Sequence, residues 1–209
     1  MRAAVILSGC GVFDGSEIQE AVLCFLTLKE YGYNYDCYAP DRKMTVISHL
    51  TKKPAGERNV LEESARIARG DIHDLHQLDS SKYDLLVIPG GLGVGKNLST
   101  FVEEQDECDV LIDLTKVVEF FFDAKKPIVA ICMGPVILAK VLSSRGSFKL
   151  TLGKSPENMA ILKKMGMEPV PTSANEMVQD GNIYTAPGYY EASSLDQIYE
   201  SLRKIFDAL

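Results

Sequence analysis

Short runs of consecutive apolar residues alternate along this chain with longer stretches whose apolar positions recur every three or four residues. The runs Ala3-Ala4-Val5-Ile6-Leu7, Tyr83-Asp84-Leu85-Leu86-Val87-Ile88 and Ile128-Val129-Ala130-Ile131 have the length and composition of buried strands. Asn34-Tyr35-Asp36-Cys37-Tyr38-Ala39 reads as a further strand, Thr45-Val46-Ile47-Ser48 as a short one, and Met177 to Thr185 as a hairpin turning at Asp180-Gly181. Between them lie helical patterns at about Glu17 to Glu30, Val60 to Ala68, Val110 to Ala124, Val136 to Leu142, Pro156 to Met165 and Ser193 to Leu209. Asp14-Gly15-Ser16 supplies capping chemistry for the first of these. Strands alternating with helices predict a mainly parallel sheet covered on both faces, within one domain over residues 1–209. The apolar residues of the last helix, Leu195, Ile198, Tyr199, Leu202, Ile205 and Phe206, either cover the sheet or serve a second copy of the chain.

In such a sheet, ligands bind beyond the carboxyl ends of the strands. The loops Ser8 to Ser16, Pro89 to Asn97 and Cys132 to Pro135 all leave that edge. Cys132 is the residue there with the most chemistry. It interrupts a buried strand just where a helix begins, with Pro135 suited to the first helical turn. A helix N-terminus favours thiolate over thiol, so this position predicts a poised nucleophile, although a cysteine is also a small buried hydrophobe. Glu17 opens the helix after the first strand at the same edge. A carboxyl there complements the helix dipole, and beside a thiol it can relay a proton, its pKa raised by mutual repulsion. Gly90 and Gly91 permit close backbone approach, and the N–H groups of Gly91 and Met133 are placed to form an oxyanion hole. Lys96 is a candidate for binding an anionic ligand, with Gly90 and Asn97 as further substrate-binding candidates.

Several longer blocks carry a family resemblance. They are Ser8-Gly9-Cys10-Gly11-Val12-Phe13-Asp14-Gly15-Ser16-Glu17-Ile18-Gln19-Glu20-Ala21, Arg58 to Gly70, Pro89 to Ser99, the Cys132 turn, and Tyr184-Thr185-Ala186-Pro187-Gly188-Tyr189. On these the chain resembles the ThiJ/PfpI superfamily, which shares the fold of class I glutamine amidotransferases. Within it the chain is similar to the enhancing-lycopene-biosynthesis (ElbB-like) branch. The resemblance runs nearly end to end and implies a flavodoxin-like three-layer α/β/α sandwich. It also implies Cys132 as nucleophile, Glu17 as its acidic partner, Gly91 and Met133 as backbone donors, and a homodimer.

Some members of the superfamily resemble glutathione-independent glyoxalases. In that chemistry the Cys132 thiolate would add to a 2-oxoaldehyde such as methylglyoxal or glyoxal, Glu17 would relay a proton through an enediol, and water would cleave the thioester. The alternative is a redox-sensing or regulatory protein with an oxidisable Cys132, its oxidised sulfur held by a protonated Glu17. An association with isoprenoid biosynthesis follows from the family name. Protease and glutaminase chemistry are disfavoured. Met133 stands where PfpI-type proteases carry a histidine, and His49, His73 and His76 all precede the nucleophile.

Composition narrows the partners. A net charge of -7 argues against nucleic acid or an anionic membrane, and no apolar run reaches the length of a bilayer span. Gly90 to Asn97 approaches the phosphate-binding GxxxxGK[ST] pattern, but Asn97 replaces the magnesium-ligating hydroxyl, and Gly9, Gly11 and Gly15 miss the dinucleotide spacing. No cofactor or metal is implied. The 5 cysteines are scattered without CxxC spacing, which fits reduced thiols in a cytoplasmic setting, or in the mitochondrial matrix once a transit peptide is removed.

Overall fold

Alternate residues of the central strands face opposite hydrophobic clusters, and this alternation builds the layers. The computed structural model describes all residues, Met1–Leu209. In chain order its elements begin with β1 (Arg2–Ile6), α1 (Ile18–Glu30), β2 (Asn34–Ala39), β3 (Lys43–Ile47), β4 (Pro54–Asn59), α2 (Val60–Ile67) and β5 (Ile72–Asp74). They continue with β6 (Leu85–Ile88), α3 (Leu92–Asn97), α4 (Phe101–Glu104), α5 (Ile112–Asp123), β7 (Ile128–Ile131), α6 (Gly134–Leu142) and β8 (Lys149–Leu150). The last are α7 (Pro156–Lys164), β9 (Glu168–Pro169), β10 (Val178–Asp180), β11 (Ile183–Ala186) and α8 (Leu195–Ala208).

Seven strands form one sheet in the order β10-β11-β7-β6-β1-β2-β5, parallel throughout except for β10. Ala4 and Ile6 of β1, with Leu86 and Ile88 of β6, pack against α3, α5, α6 and α7. Ala3, Val5, Leu85, Val87, Val129 and Ile131 face the opposite way, against α1, α2 and α8. The fold is therefore a three-layer α/β/α sandwich of flavodoxin-like type.

Ile198, Leu202, Ile205 and Phe206 of α8 are buried in the second cluster, so the terminal helix covers the sheet. Leu195, at its start, stays exposed, and Tyr199 donates its hydroxyl to Glu30.

The elements that periodicity overlooks are short or polar. β4 is exposed along nearly its whole length and pairs antiparallel with β3 in a separate hairpin. β5 is a three-residue edge strand carrying His73, in a segment that reads as a polar link. α3 lies where Gly93 and Gly95 suggest only a loop. Those glycines are buried where Cβ atoms would press on Gly15 and on Met133, so close packing dictates them.

Candidate active site

β6 and β7 end side by side at the carboxyl edge of the sheet, and the turns that leave them meet at Cys132. Cys132 is 8% exposed. Its backbone is held at φ 56°, a left-handed conformation unusual for a residue with a Cβ, while its N–H donates to Ala186 O at 2.9 Å. The parallel strand β11 thus fixes the strained turn that aims the sulfur. Gly91, with φ 101°, ends the neighbouring turn, and its N–H and that of Met133 both act on the sulfur. The two predicted backbone donors therefore converge where the sequence places them.

The acidic partner is different. The carboxyl that faces Cys132 belongs to Glu20, one helical turn beyond Glu17, the two meeting across the Cα of Gly90. Glu20 is fully buried, and it accepts the N–H of Gly90 at 3.1 Å and that of Tyr189 at 2.9 Å. Glu17 instead caps α1, with Oε2 accepting the Glu20 N–H at 2.7 Å, so its oxygens serve the helix end that Asp14 to Ser16 were expected to cap. Its carboxyl is raised by burial, against the pull of the N–H groups of Glu20, Gln19 and Ile18, and not by the thiol. Helical phase explains the correction. The capping position faces its own helix end, whereas the residue three further on points inward to β6 and β7. A buried glutamate on an otherwise apolar helix face was the signal available in the sequence.

Burial sets the electrostatics of the pair. Burial, helped by the nearby charge of Glu17, lifts the Glu20 carboxyl to about 7, against the N–H groups of Tyr189 and Gly90. Burial also pushes the Cys132 thiol well above its usual range, and the charge of Glu20 adds to this, whereas the Gly91 and Met133 N–H groups favour thiolate. The expectation of a thiol lowered by the helix N-terminus is therefore reversed, because desolvation outweighs it. Two negative charges are not tolerated together here, so the thiol keeps its proton when the carboxyl ionises.

Glycines make this contact possible. A Cβ on Gly90 would sit 2.5 Å from Glu20 Oε2 and 2.8 Å from Cys132 Sγ, and one on Gly188 would sit 2.7 Å from Cys132 Cβ. Gly90 is thus part of the packing around the thiol. Lys96 and Asn97 are not available for substrate in this arrangement. Lys96 Nζ donates to Phe13 O at 2.8 Å, and Asn97 Nδ2 donates to Ser8 O and Asp14 O, each at 2.7 Å. Both brace the loop after β1. The histidines are also engaged elsewhere. His49 stacks on Phe13, His73 lies against Tyr38, and His76 is 3.5 Å from Asp113. No group of three or more histidine, cysteine or acidic side chains is arranged to hold a metal ion.

Comparison with known proteins places this geometry. Residues 10–197 match the DJ-1/PfpI family. The chain belongs to the DJ-1/PfpI family. Among curated relatives, it is 36% identical to the rat (Rattus norvegicus) mitochondrial ES1 protein homolog over 96% of this chain and 80% of that protein. It is 46% identical to the human (Homo sapiens) mitochondrial glutamine amidotransferase-like class 1 domain-containing protein 3, over 75% of this chain and 58% of the human protein. The chain thus spans little more than half the length of that human relative. Among solved structures, an isoprenoid biosynthesis protein with an amidotransferase-like domain from Ehrlichia chaffeensis superposes with a TM-score of 0.92 at 37% identity, over 100% of this chain and 98% of that one. Glyoxalase III from Candida albicans shares the fold, with a TM-score of 0.66 at 16% identity, over 100% of this chain and 97% of that one. The cytoplasmic expectation is corrected by these findings, since the rat, human and zebrafish relatives are mitochondrial proteins by name.

Proposed function

We propose that this DJ-1/PfpI-family protein is a regulatory thiol protein whose Cys132 is oxidised, reversibly as far as sulfenic acid, with Glu20 as its proton partner. The observation that carries this reading is the buried contact between the Cys132 thiol and the Glu20 carboxyl, with two backbone N–H groups on the sulfur. A site this enclosed suits a small oxidant better than a bulky substrate. In the first step the thiol proton passes to Glu20 and the thiolate attacks one oxygen of hydrogen peroxide. The S–O bond forms, the O–O bond breaks, and the departing hydroxide takes the proton from Glu20 as water, leaving sulfenic acid. The sulfenic sulfur then attacks an oxygen of a second hydrogen peroxide: another S–O bond forms, the O–O bond breaks, the departing hydroxide takes a proton and leaves as water, and the sulfinic acid formed passes its remaining proton to Glu20, which can hydrogen-bond the sulfinate. The names of the relatives support a mitochondrial setting and an association with isoprenoid biosynthesis.

Titration with hydrogen peroxide followed by peptide mass analysis tests the proposal. Cys132 is expected to gain oxygen before Cys10, Cys24, Cys37 and Cys108, and Glu20→Gln is expected to slow that gain by about tenfold. Equal oxidation of all five cysteines would sink it.

A second reading, conversion of methylglyoxal to lactate without glutathione, is favoured by one feature. A carboxyl titrating at about 7 beside a thiol suits the two proton transfers of an enediol path. Lactate formation above the level of Cys132→Ser supports it, and its absence removes it.

A further inference from the structure

The segment between β11 and α8 crosses the carboxyl edge of the sheet against Cys132. Gly188 packs so closely that it leaves no room for a Cβ beside Cys132 Cβ or Glu20 Oε1. The two tyrosines that follow lie on opposite faces of the sheet. Tyr189 packs on the cluster shared by α1 and α8, and Tyr190 on the cluster shared by α5 and α6. Tyr189 also reaches α1 at two successive residues. Its N–H donates to Oε1 of the buried Glu20 at 2.9 Å, and its hydroxyl donates to Oε1 of the exposed Gln19. One residue thus spans from the buried carboxyl to the surface. We propose that Tyr189 is the latch of a strap, Pro187 to Glu191, closed over Cys132, and that its hydrogen bond to Gln19 limits the access of reagents larger than a small oxidant. The inference concerns access and holds whichever reaction Cys132 carries.

Both ends of the strap are fixed by other bonds. At its start β11 pairs in parallel with β7, and Ala186 O accepts the Cys132 N–H at 2.9 Å. At its finish the Glu191 carboxylate accepts the Lys154 N–H at 2.8 Å and pairs with the Lys154 ammonium at 3.4 Å. The middle is one piece, because the Tyr190 N–H bonds to Pro187 O and the Glu191 N–H to Gly188 O, each at 3.1 Å. Tyr189 ties this piece to α1 through its N–H and its hydroxyl. The hydroxyl bond to Gln19 is neutral and solvent-exposed, so it breaks at small cost. Opening there lifts Gly188 from Cys132 and the Tyr189 N–H from Glu20 in one movement. Cys132 is buried while the strap is closed, so reagents reach it through this local opening.

Alkylation of Cys132 by N-ethylmaleimide at one fixed pH, followed by peptide mass analysis, tests the latch. Tyr189→Phe keeps the ring and the N–H and loses the hydroxyl, whereas Gln19→Ala removes the acceptor from the other side. Each should speed the reaction about fivefold, the worth of one neutral hydrogen bond. The double variant should be no faster than either single one, because both remove the same contact. The fully buried Cys24 and Cys37 report general loosening and should stay unmodified throughout. Rates equal to wild type, additive gains in the double variant, or a rise shared by Cys24 and Cys37 would overturn the inference. So would a Cys132 that resists the reagent in every variant. Alkylation needs no oxidant, so faster alkylation in the variants without any gain of oxygen from peroxide keeps the latch and removes the redox reading.

Discussion

Two glycine-rich turns leave neighbouring parts of the same sheet edge, each carries a cysteine, and they do opposite things with their polar groups. The turn after β1 spends nearly everything internally. Gly9 N–H donates to Ser64 Oγ, Gly11 N–H to Ser16 O, and the carbonyls of Ser8, Phe13 and Asp14 are taken by Asn97 and Lys96. Its Cys10 is half-exposed, and burial followed by the charge of Glu63 raises its thiol, against the opposing charge of Arg66. The turn after β7 leaves the Met133 N–H on the sulfur, and the Gly91 N–H joins it from the turn after β6. Exposure is therefore a poor guide to chemistry here. The more accessible thiol stands in a scaffold, whereas the buried one faces two backbone N–H groups and a buried carboxyl.

The largest expected effect that sharpens this contrast lies in the scaffold. Asn97→Ala strips two buried carbonyls of their donor and should cost about 4 kcal/mol in urea unfolding, the sum of two unsatisfied groups at about 1–3 kcal/mol each. A loss below about 1 kcal/mol would show that the loop after β1 does not depend on α3.

The next effect lies in the chemical turn and depends on pH. The Glu20 carboxyl is raised from 4.5 in the unfolded chain to about 7 in the folded one, so over that range the folded protein holds a proton that the unfolded chain has released. The resulting stabilisation is fully present below about pH 4.5 and is lost as pH rises through about 7, a change of about 3 kcal/mol. Glu20→Gln should remove this slope, seen as a stability difference between variant and wild type that changes by that amount between pH 4.5 and 8. Parallel pH profiles for the two proteins would break the assignment of Glu20 as the titrating partner.

The smallest effect is expected at the other cysteine. Cys10→Ser should alter stability within about 0.5 kcal/mol and leave the rate of Cys132 oxidation unchanged. A slowed Cys132 would mean that the two turns are chemically coupled rather than merely adjacent.

Much of this was legible from residue pattern alone, and the exceptions share a cause. The long periodic helices and the apolar strands fall within a few residues of their expected bounds, because burial on one or two faces leaves a strong period in the sequence. β4 and β5 escape because one is solvent-exposed and the other is a short edge strand, so neither carries a hydrophobic period. Cys132, Gly91 and Met133 were found because a strand-to-helix turn announces itself by its breaking residues. Glu20 was missed because Glu17 also looks chemically apt, and only the direction of each side chain distinguishes them.

The sequence by itself determined the layered α/β architecture, the family and the place of Cys132 at a strand-to-helix turn, since each is written in local periodicity or in contiguous motifs. Tertiary structure decided what surrounds the sulfur. It brought Glu20 from α1, Gly91 from the end of β6, and the turn carrying Gly188 from beyond β11 around Cys132, although they are far apart in the chain. It also turned Lys96 and Asn97 into braces and drove the pKa shifts through burial. Burial and direction are properties of packing, and no single stretch of sequence contains them.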